Sequence, residues 1–322
     1  MNMSFKLPRR EFLTGISALA AASCLPIEAL RARERLYPPV DLSYFDTPIP
    51  PGPSEIHYGY AAITWGGNDR QAIDDVSALG FHGIQIRSNA IEEFGSPQPL
   101  RDLLAQHKLI FVALSSGGLN IDAVQADEIT KHVSHAKFLH DAGGKYLQVT
   151  DDRPKNRAIT SADYKRLGQL LTEVGKRTAD LGVPLGYHNH MGSLGEHPEE
   201  VDQILEATDS RYAKLELDVA HYFQGGGDPV KCIEKYSDRL LFLHIKDVEK
   251  LSGTADSKKA YRFVELGRGQ VDLPAIFKAL DKVKFRGWAI VELDDVPDKK
   301  RTPKECAAIS KKYLEEKLGI TV

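Results

Sequence analysis

The stretch Leu181-Gly182-Val183-Pro184-Leu185-Gly186-Tyr187-His188-Asn189-His190 holds one complete structural unit. An amphipathic run ends at a glycine, the chain turns, a short apolar strand follows, and the strand finishes in polar residues. The same punctuation recurs at Leu79-Gly80-Phe81-His82-Gly83 and at Ala142-Gly143-Gly144. From Ile56 onward, short apolar runs alternate with longer amphipathic stretches, the pattern of βα units around a parallel sheet. The strands are expected at His57–Thr64, Gly83–Arg87, Ile110–Leu114, Tyr146–Thr150, Pro184–Asn189, Lys214–Asp218, Leu240–Lys246 and Trp288–Leu293. Helices are expected at stretches such as Asp69–Leu79, Asp127–Asp141, Ala162–Leu181 and Leu273–Lys282. Eight strands, mostly followed by a helix, predict an α/β fold closed into a (β/α)8 barrel. An open doubly wound sheet would carry a glycine-rich phosphate loop after an early strand. Gly267-Arg268-Gly269 comes late and lacks the third glycine, so the open sheet is disfavoured.

In such a barrel the chemistry sits at the C-terminal ends of the strands. The early strands end blandly, in Ile63-Thr64-Trp65, Ile86-Arg87-Ser88 and Leu114-Ser115-Ser116. The last four end in Tyr187-His188-Asn189-His190, Leu217-Asp218-Val219-Ala220-His221, Leu243-His244-Ile245-Lys246-Asp247 and Val291-Glu292-Leu293-Asp294. Strand side chains alternate between barrel interior and helix layer. Leu185 and Tyr187 are bulky and face the helices, which turns Gly186 and His188 inward, with His190 following on the same side. By the same alternation Asp218, His244 and Glu292 face inward, and Lys246 shares the face of His244. A lone histidine or aspartate at a strand end is more often a cap than a ligand. Four inward groups at matched strand ends are different, because burying them without a shared partner would cost several kcal/mol. His188, Asp218, His244 and Glu292 therefore form a candidate site for a divalent metal, with Mn, Co or Zn the expected ions.

The chain has 322 residues, is 42% hydrophobic and 27% charged, and carries a formal net charge of -3. That length suits one large α/β barrel or two smaller domains, and it can bury a sizeable core. The charge balance argues against a nucleic-acid partner, which needs clustered Lys and Arg. No apolar stretch beyond the N-terminus is long enough to span a bilayer. Residues 1–32 read as a twin-arginine-type export signal: Arg9-Arg10 precede Phe12-Leu13 and a run of small residues, Thr14 to Ser23. The protein is accordingly expected in the periplasm or otherwise exported. Cys24 follows Ala21-Ala22-Ser23 without the branched residue of a lipobox, so a lipid anchor is the lesser reading. Residues 33–55 read as a proline-rich linker or strap, and 56–322 as the barrel. Cys232 and Cys306 are expected to be free thiols.

Taken together, Tyr187-His188-Asn189-His190-Met191-Gly192, Leu217-Asp218-Val219-Ala220-His221, His244-Ile245-Lys246-Asp247, Gly267-Arg268-Gly269-Gln270-Val271-Asp272 and Val291-Glu292 resemble the xylose isomerase-like TIM barrels. Within them the chain looks like the sugar phosphate isomerases and epimerases, in the branch that includes inosose dehydratase. The resemblance runs from about Gly59 to the C-terminus. It implies a metal-dependent isomerase, epimerase, or lyase (dehydratase or hydratase) acting on a keto-sugar, inosose or related polyol by enolisation. In ketose-epimerising relatives the metal is held by Glu, Asp, His and Glu. Asp218, His244 and Glu292 match, but His188 stands where the first glutamate would be. That departure removes one of two proton-transfer carboxylates and favours elimination or hydration over two-base epimerisation. An exported location disfavours a phosphorylated substrate.

Enolisation needs a base for the carbon-bound proton and an acid for the departing or reprotonated group. Glu292 is a candidate base, and Lys246, His190 and His221 are candidates for the opposite face. Lys246 beside a cation is expected to lose its proton more readily. Two other functions fit the same fold. One is a non-catalytic exported sugar-binding protein, and the other is an endonuclease of the AP-endonuclease type, which the acidic balance disfavours.

Overall fold

The computed structural model describes residues 55–251 and 260–322. The export segment 1–32, with Cys24, lies outside these residues, as does the expected linker apart from its last residue, Glu55. Eight parallel strands close into a barrel in the order β1 (Glu55–Ala61), β10 (Arg286–Val291), β7 (Leu240–Ile245), β6 (Ala213–Asp218), β5 (Leu185–His188), β4 (Tyr146–Asp151), β3 (Ile110–Leu119) and β2 (Gly83–Arg87). β2 pairs with β1 to complete the ring. β8 (Asp247–Lys250) and β9 (Tyr261–Val264) form an antiparallel hairpin directly after β7. Helices alternate with the barrel strands, so β5, β6 and β7 are buried along their whole length, with polar residues confined to positions such as Glu216, Asp218 and His244.

The N-terminal end of the barrel is plugged by side chains that include Ala61, Val112, Leu241, Phe242, Trp288 and Ile290. Trp288 fills this layer so closely that a Cβ on Gly83 would lie 2.4 Å from its ring and 2.5 Å from Val112. With the floor closed, only the C-terminal mouth is left for chemistry. A larger apolar layer packs between the barrel and its helices, built from residues such as Ile84, Leu147, Leu185, Leu217 and Leu243.

The strand expectations need three main adjustments, each with a local cause. β1 ends at Ala61, and Ala62–Trp65 curl into a 3-10 turn that Gly66 closes with a φ of 65°. The Thr64 hydroxyl donates to the Leu293 carbonyl at 2.5 Å, tying that turn to the end of the last barrel strand. β3 continues to Leu119, because an irregularity between Ser115 and Gly118 lets it stay paired with β4. β8 and β9 were absent from the expected elements: each is only four residues long, too short to carry a periodic signal. Cys232 and Cys306 are both buried and unpaired. Among the described residues, no helix is long and apolar enough to cross a membrane.

Candidate metal centre and active site

The inward file of each late strand delivers one group to the mouth. His188 ends β5 and is 5% exposed, Asp218 ends β6, His244 lies on β7, and Glu292 follows β10 at 7% exposed. One ligand atom from each of these four residues falls within 4.8 Å of the others, so they can hold a metal ion. For three of them the surrounding hydrogen bonds leave a ligand atom free. Asp218 Oδ1 accepts the N–H groups of Ala220 and His221 at 2.8 Å, capping the helix Val219–Gln224, and Oδ2 is left over. Asn189 clips β5 to β6, accepting from the Asp218 N–H at 3.0 Å and donating to the Asp218 carbonyl at 3.2 Å.

His244 is oriented from across the barrel. Its Nε2 lies 2.8 Å from Gln85 Oε1. Gln85 Nε2 donates to Gln148 Oε1 at 3.3 Å, and Gln148 Nε2 donates to Glu216 Oε2 at 2.9 Å. This chain of amides fixes the ring, with Nε2 towards Gln85 and Nδ1 towards the carboxylates; burial pulls the His244 pKa down, but Glu216 and Glu292 outweigh it and raise it well above the usual value. His244 Nδ1 lies 2.9 Å from Glu292 Oε2 and 3.6 Å from Asp218 Oδ2. Four buried atoms lack a hydrogen-bond partner here: His188 Nδ1, Glu216 Oε1, Asp218 Oδ2 and His244 Nδ1. His188 Nδ1 is 2.6 Å from Glu216 Oε2 but out of line for a hydrogen bond. Buried polar atoms are seldom left unpaired, and imidazoles aimed at carboxylates are the donor set of a borderline divalent ion. The residues fit such an ion.

Lys246 is fully buried at the edge of this set. Its Nζ contacts Glu292 Oε2 at 3.1 Å, Asp294 Oδ1 at 2.5 Å and His221 Nε2 at 3.2 Å, and lies 3.7 Å from Asp218 Oδ2. It is not a solvated rim residue. Burial pulls its pKa down, but the carboxylates of Asp294, Glu292 and Asp218 outweigh burial and push it above the ordinary range. These three carboxylates favour the charged ammonium; the expectation of an easily lost proton concerned a lysine beside a bound cation. Burial and the Lys246 charge hold His221 neutral, its pKa well below the usual value. His190 is likewise lowered, by burial and then by His188 and Lys246. Its ring lies 3.9 Å from that of His221, centroid to centroid. His188, His190 and His221 also bring ligand atoms within 4.8 Å, but the Lys246 ammonium beside His221 opposes a cation there.

The residue after Lys246 fixes the roof of the site. The Asp247 carboxylate accepts four backbone N–H groups, from Val248, Gly267, Gly269 and Val271, at 2.8–3.1 Å. A Cβ on Gly269 would meet Asp247 Oδ1 at 2.1 Å, so only glycine lets this loop close. Gly267-Arg268-Gly269 thus wraps a carboxylate of its own chain. The anchored hairpin carries Phe263, whose ring lies 4.1 Å from Lys246 Nζ and 4.8 Å from the His221 ring.

Residues 73–314 match the model of the xylose isomerase-like TIM barrel family. The chain belongs to that family. Over 300 residues it is 28% identical to the inosose dehydratase of Lacticaseibacillus casei, covering 82% of this chain and 98% of that protein. Over 293 residues it is 30% identical to the inosose dehydratase of Geobacillus kaustophilus, covering 80% of this chain and 93% of that protein. Among solved structures, the IolI protein with a bound zinc atom has a TM-score of 0.70 at 20% identity, covering 81% of this chain and 97% of that one. That last likeness is one of fold.

On this xylose isomerase-like barrel, the structure brings together all seven residues singled out for metal and proton work: His188, His190, Asp218, His221, His244, Lys246 and Glu292. Reading only the strand tips missed Gln85, Gln148, Glu216 and Asp294. The first three carry a usable signal. Each is a lone polar residue between two aliphatic ones, as in Ile84-Gln85-Ile86, Leu147-Gln148-Val149 and Leu215-Glu216-Leu217. In a buried strand such a residue must face inward and find a partner. The early strands were therefore not bland, for they supply the relay that sets His244.

Proposed function

We propose that this protein is an exported, metal-dependent enzyme that eliminates water from a keto-polyol of the inosose or keto-sugar type. The observation that carries this reading is the adjacency of two chemistries. A cluster of unpartnered, buried imidazole and carboxylate atoms abuts a charged lysine through the shared carboxylate of Glu292. Kinship with inosose dehydratases supports the same class of substrate. His188, Asp218, His244 and Glu292 would hold the ion, with Zn, Mn or Co suited to mixed imidazole and carboxylate donors. Bound there, a divalent ion supplies Lewis-acid polarisation of a ketone and its neighbouring hydroxyl.

The chain's own groups then divide the proton work. Burial alone would raise the Glu292 pKa, yet His244 and Lys246 hold its carboxylate ionised, well below the usual range. Glu292 is thus suited to take the proton from the carbon beside the ketone. As that C–H bond breaks, its electron pair forms the enolate double bond. The collapse of the enolate breaks the C–O bond one carbon further on, and Lys246 gives its proton to the departing oxygen, which leaves as water. Asp294 keeps the ammonium in place. Neutral His221 and His190 connect it to the mouth, from which it can be reprotonated. Phe263 covers the pair and keeps bulk water off it.

Two experiments test this reading. Metal-loaded protein is offered a panel of inososes and unphosphorylated keto-sugars, and dehydrated product is followed by mass spectrometry. Loss of one water from at least one of them is expected, abolished by a chelator and restored by the ion. Stoichiometric metal with no turnover of any ketone would refute the catalytic reading. Separately, replacing Arg9 and Arg10 by Lys should leave unprocessed protein in the cytoplasm. Normal export of that variant would overturn the twin-arginine assignment.

A further inference from the structure

A cleft of about 680 Å³ opens beside the site, between the chain segments that follow β3, β4 and β5. It touches the site at two places. His190 lines the cleft, and its ring lies 5.5 Å from that of His188. Thr150 also lines the cleft, two residues beyond Gln148 on the inward file of β4, and Gln148 bonds to Glu216 under the ligand cluster. The cleft is therefore the β3–β5 side of the barrel mouth, facing the β5–β10 side where the ligands stand.

The walls of the cleft divide into groups that hold it in shape and groups that are free. Arg153 is bound to Glu200 at 3.1 Å and to the Ser193 carbonyl at 2.7 Å. Asp122 is taken by Arg157 at 2.8 Å. Asp151 accepts from the Tyr187 hydroxyl at 2.8 Å and the Leu194 N–H at 2.5 Å, which fixes the loop that carries His190. By contrast, the side chains of Asp152, Lys155 and Asn156 have no hydrogen bond or ion pair among the described residues, yet all three line the cleft. They offer one anion, one cation and one amide, with donors and acceptors of both kinds. That mixture suits a ring of hydroxyl groups. A phosphate would want cations alone, and an apolar substituent would want an apolar wall.

We propose that this cleft is a subsite for a second polyhydroxylated ring, so that the substrate is a keto-sugar carrying a glycosidically linked sugar. The proposal rests on the reading of the site as a keto-polyol lyase. A cleft of this volume lies within the range of about 300–1,000 Å³ that encloses ligands larger than one hexose. One ring placed at the metal ligands leaves it unfilled. Binding energy from a remote second ring can be used to orient the reacting one.

The test compares a keto-hexose with the same keto-hexose bearing linked glucose, on metal-loaded full-length protein. The linked substrate is expected to have a kcat/KM about tenfold or more higher. Asn156→Trp, which places a large ring in the cleft, should lower that advantage by about tenfold or more, and Lys155→Ala should lower it by raising KM. Equal kcat/KM for the two substrates, or an advantage that both variants leave intact, overturns the subsite. Calorimetry with the linked, non-ketone disaccharide separates this from the lyase reading. If no ketone reacts but the disaccharide binds and Asn156→Trp abolishes binding, the subsite stands and the chemistry falls. If single-ring ketones react and the disaccharide neither binds nor competes, the chemistry stands and the subsite falls.

Discussion

Two groups of buried and half-buried histidines lie on this barrel, and they are built to opposite ends. His132 and His135 project from the helix Gln125–Asp141 onto Ser116 of β3, whose Oγ lies 2.6 Å from His132 Nδ1 and 2.8 Å from His135 Nδ1. This cluster faces the helix layer. Its carboxylate, Glu128, is already engaged by Lys131 at 3.0 Å and by the Asn120 N–H at 2.9 Å. His188, His190, His221 and His244 stand in the barrel mouth, where unpartnered nitrogen and carboxylate atoms face one another. Burial and clustering are common to both groups. His132 Nε2 is also left without a hydrogen-bond partner, so the difference is whether unpartnered atoms from several residues converge on a common point. The first arrangement pins a helix to a strand, and the second is ready for a cation.

The largest expected effect sharpens that contrast. Asp218→Ala and His244→Ala should each reduce bound divalent ion from near stoichiometric to about a tenth or less, and turnover by about 10³-fold or more. His132→Leu should keep the full metal content. Elemental analysis of the purified variants decides it, and an Asp218→Ala protein that retains its metal would erase the distinction between the two groups. Next comes Lys246→Met, which preserves most of the side-chain stem. It should keep the metal and lose about 10²–10⁴-fold in kcat. Persistent exchange of the substrate's α-hydrogen with deuterated water in that variant would identify Lys246 as the acid and Glu292 as the base. Unchanged turnover would move the proton role to His190 or His221.

The smallest effect concerns the other cluster. Burial, then the charges of Lys131 and His135, lowers the His132 pKa to about 3. In the unfolded chain this imidazole takes a proton near its ordinary value of about 6.5. A depressed folded-state pKa means that the unfolded chain binds the proton first as the pH falls. Stability from this group is therefore complete above about pH 6.5 and is lost below it, at about 1.4 kcal/mol per pH unit down to about pH 3. Denaturant midpoints of wild type and His132→Leu, taken at pH 7 and pH 5, should diverge by that slope. Parallel midpoints would show that His132 is solvated or protonated in the folded state.

Much of the site could be read from the chain because strand alternation is local. Once Leu185 and Tyr187 are assigned to the helix face, His188 must point into the barrel, and Asp218, His244 and Glu292 follow by the same count. Lys246 was placed on the correct face, but its carboxylate neighbours could not be read from the chain. Its charge state depends on Asp294, which follows the last barrel strand and reaches Lys246 only when the ring closes. Gly267-Arg268-Gly269 was singled out as a motif, yet its partner, the Asp247 carboxylate, lies some twenty residues earlier. No local periodicity links a loop to the acid it will wrap.

The sequence by itself determined the eight-strand framework and the inward register of the ligand-bearing positions. Both follow from the spacing of apolar residues along one strand and the glycine stops between units, which are properties of near neighbours in the chain. Tertiary structure alone decided the electrostatics. Gln85 orients His244 across 159 residues of separation, three carboxylates from the ends of β6 and β10 favour a charged Lys246, and a carboxylate held by four backbone N–H groups fixes the hairpin above them. These effects arise from groups brought within a few ångströms by barrel closure, where low polarity strengthens each charge and hydrogen bond.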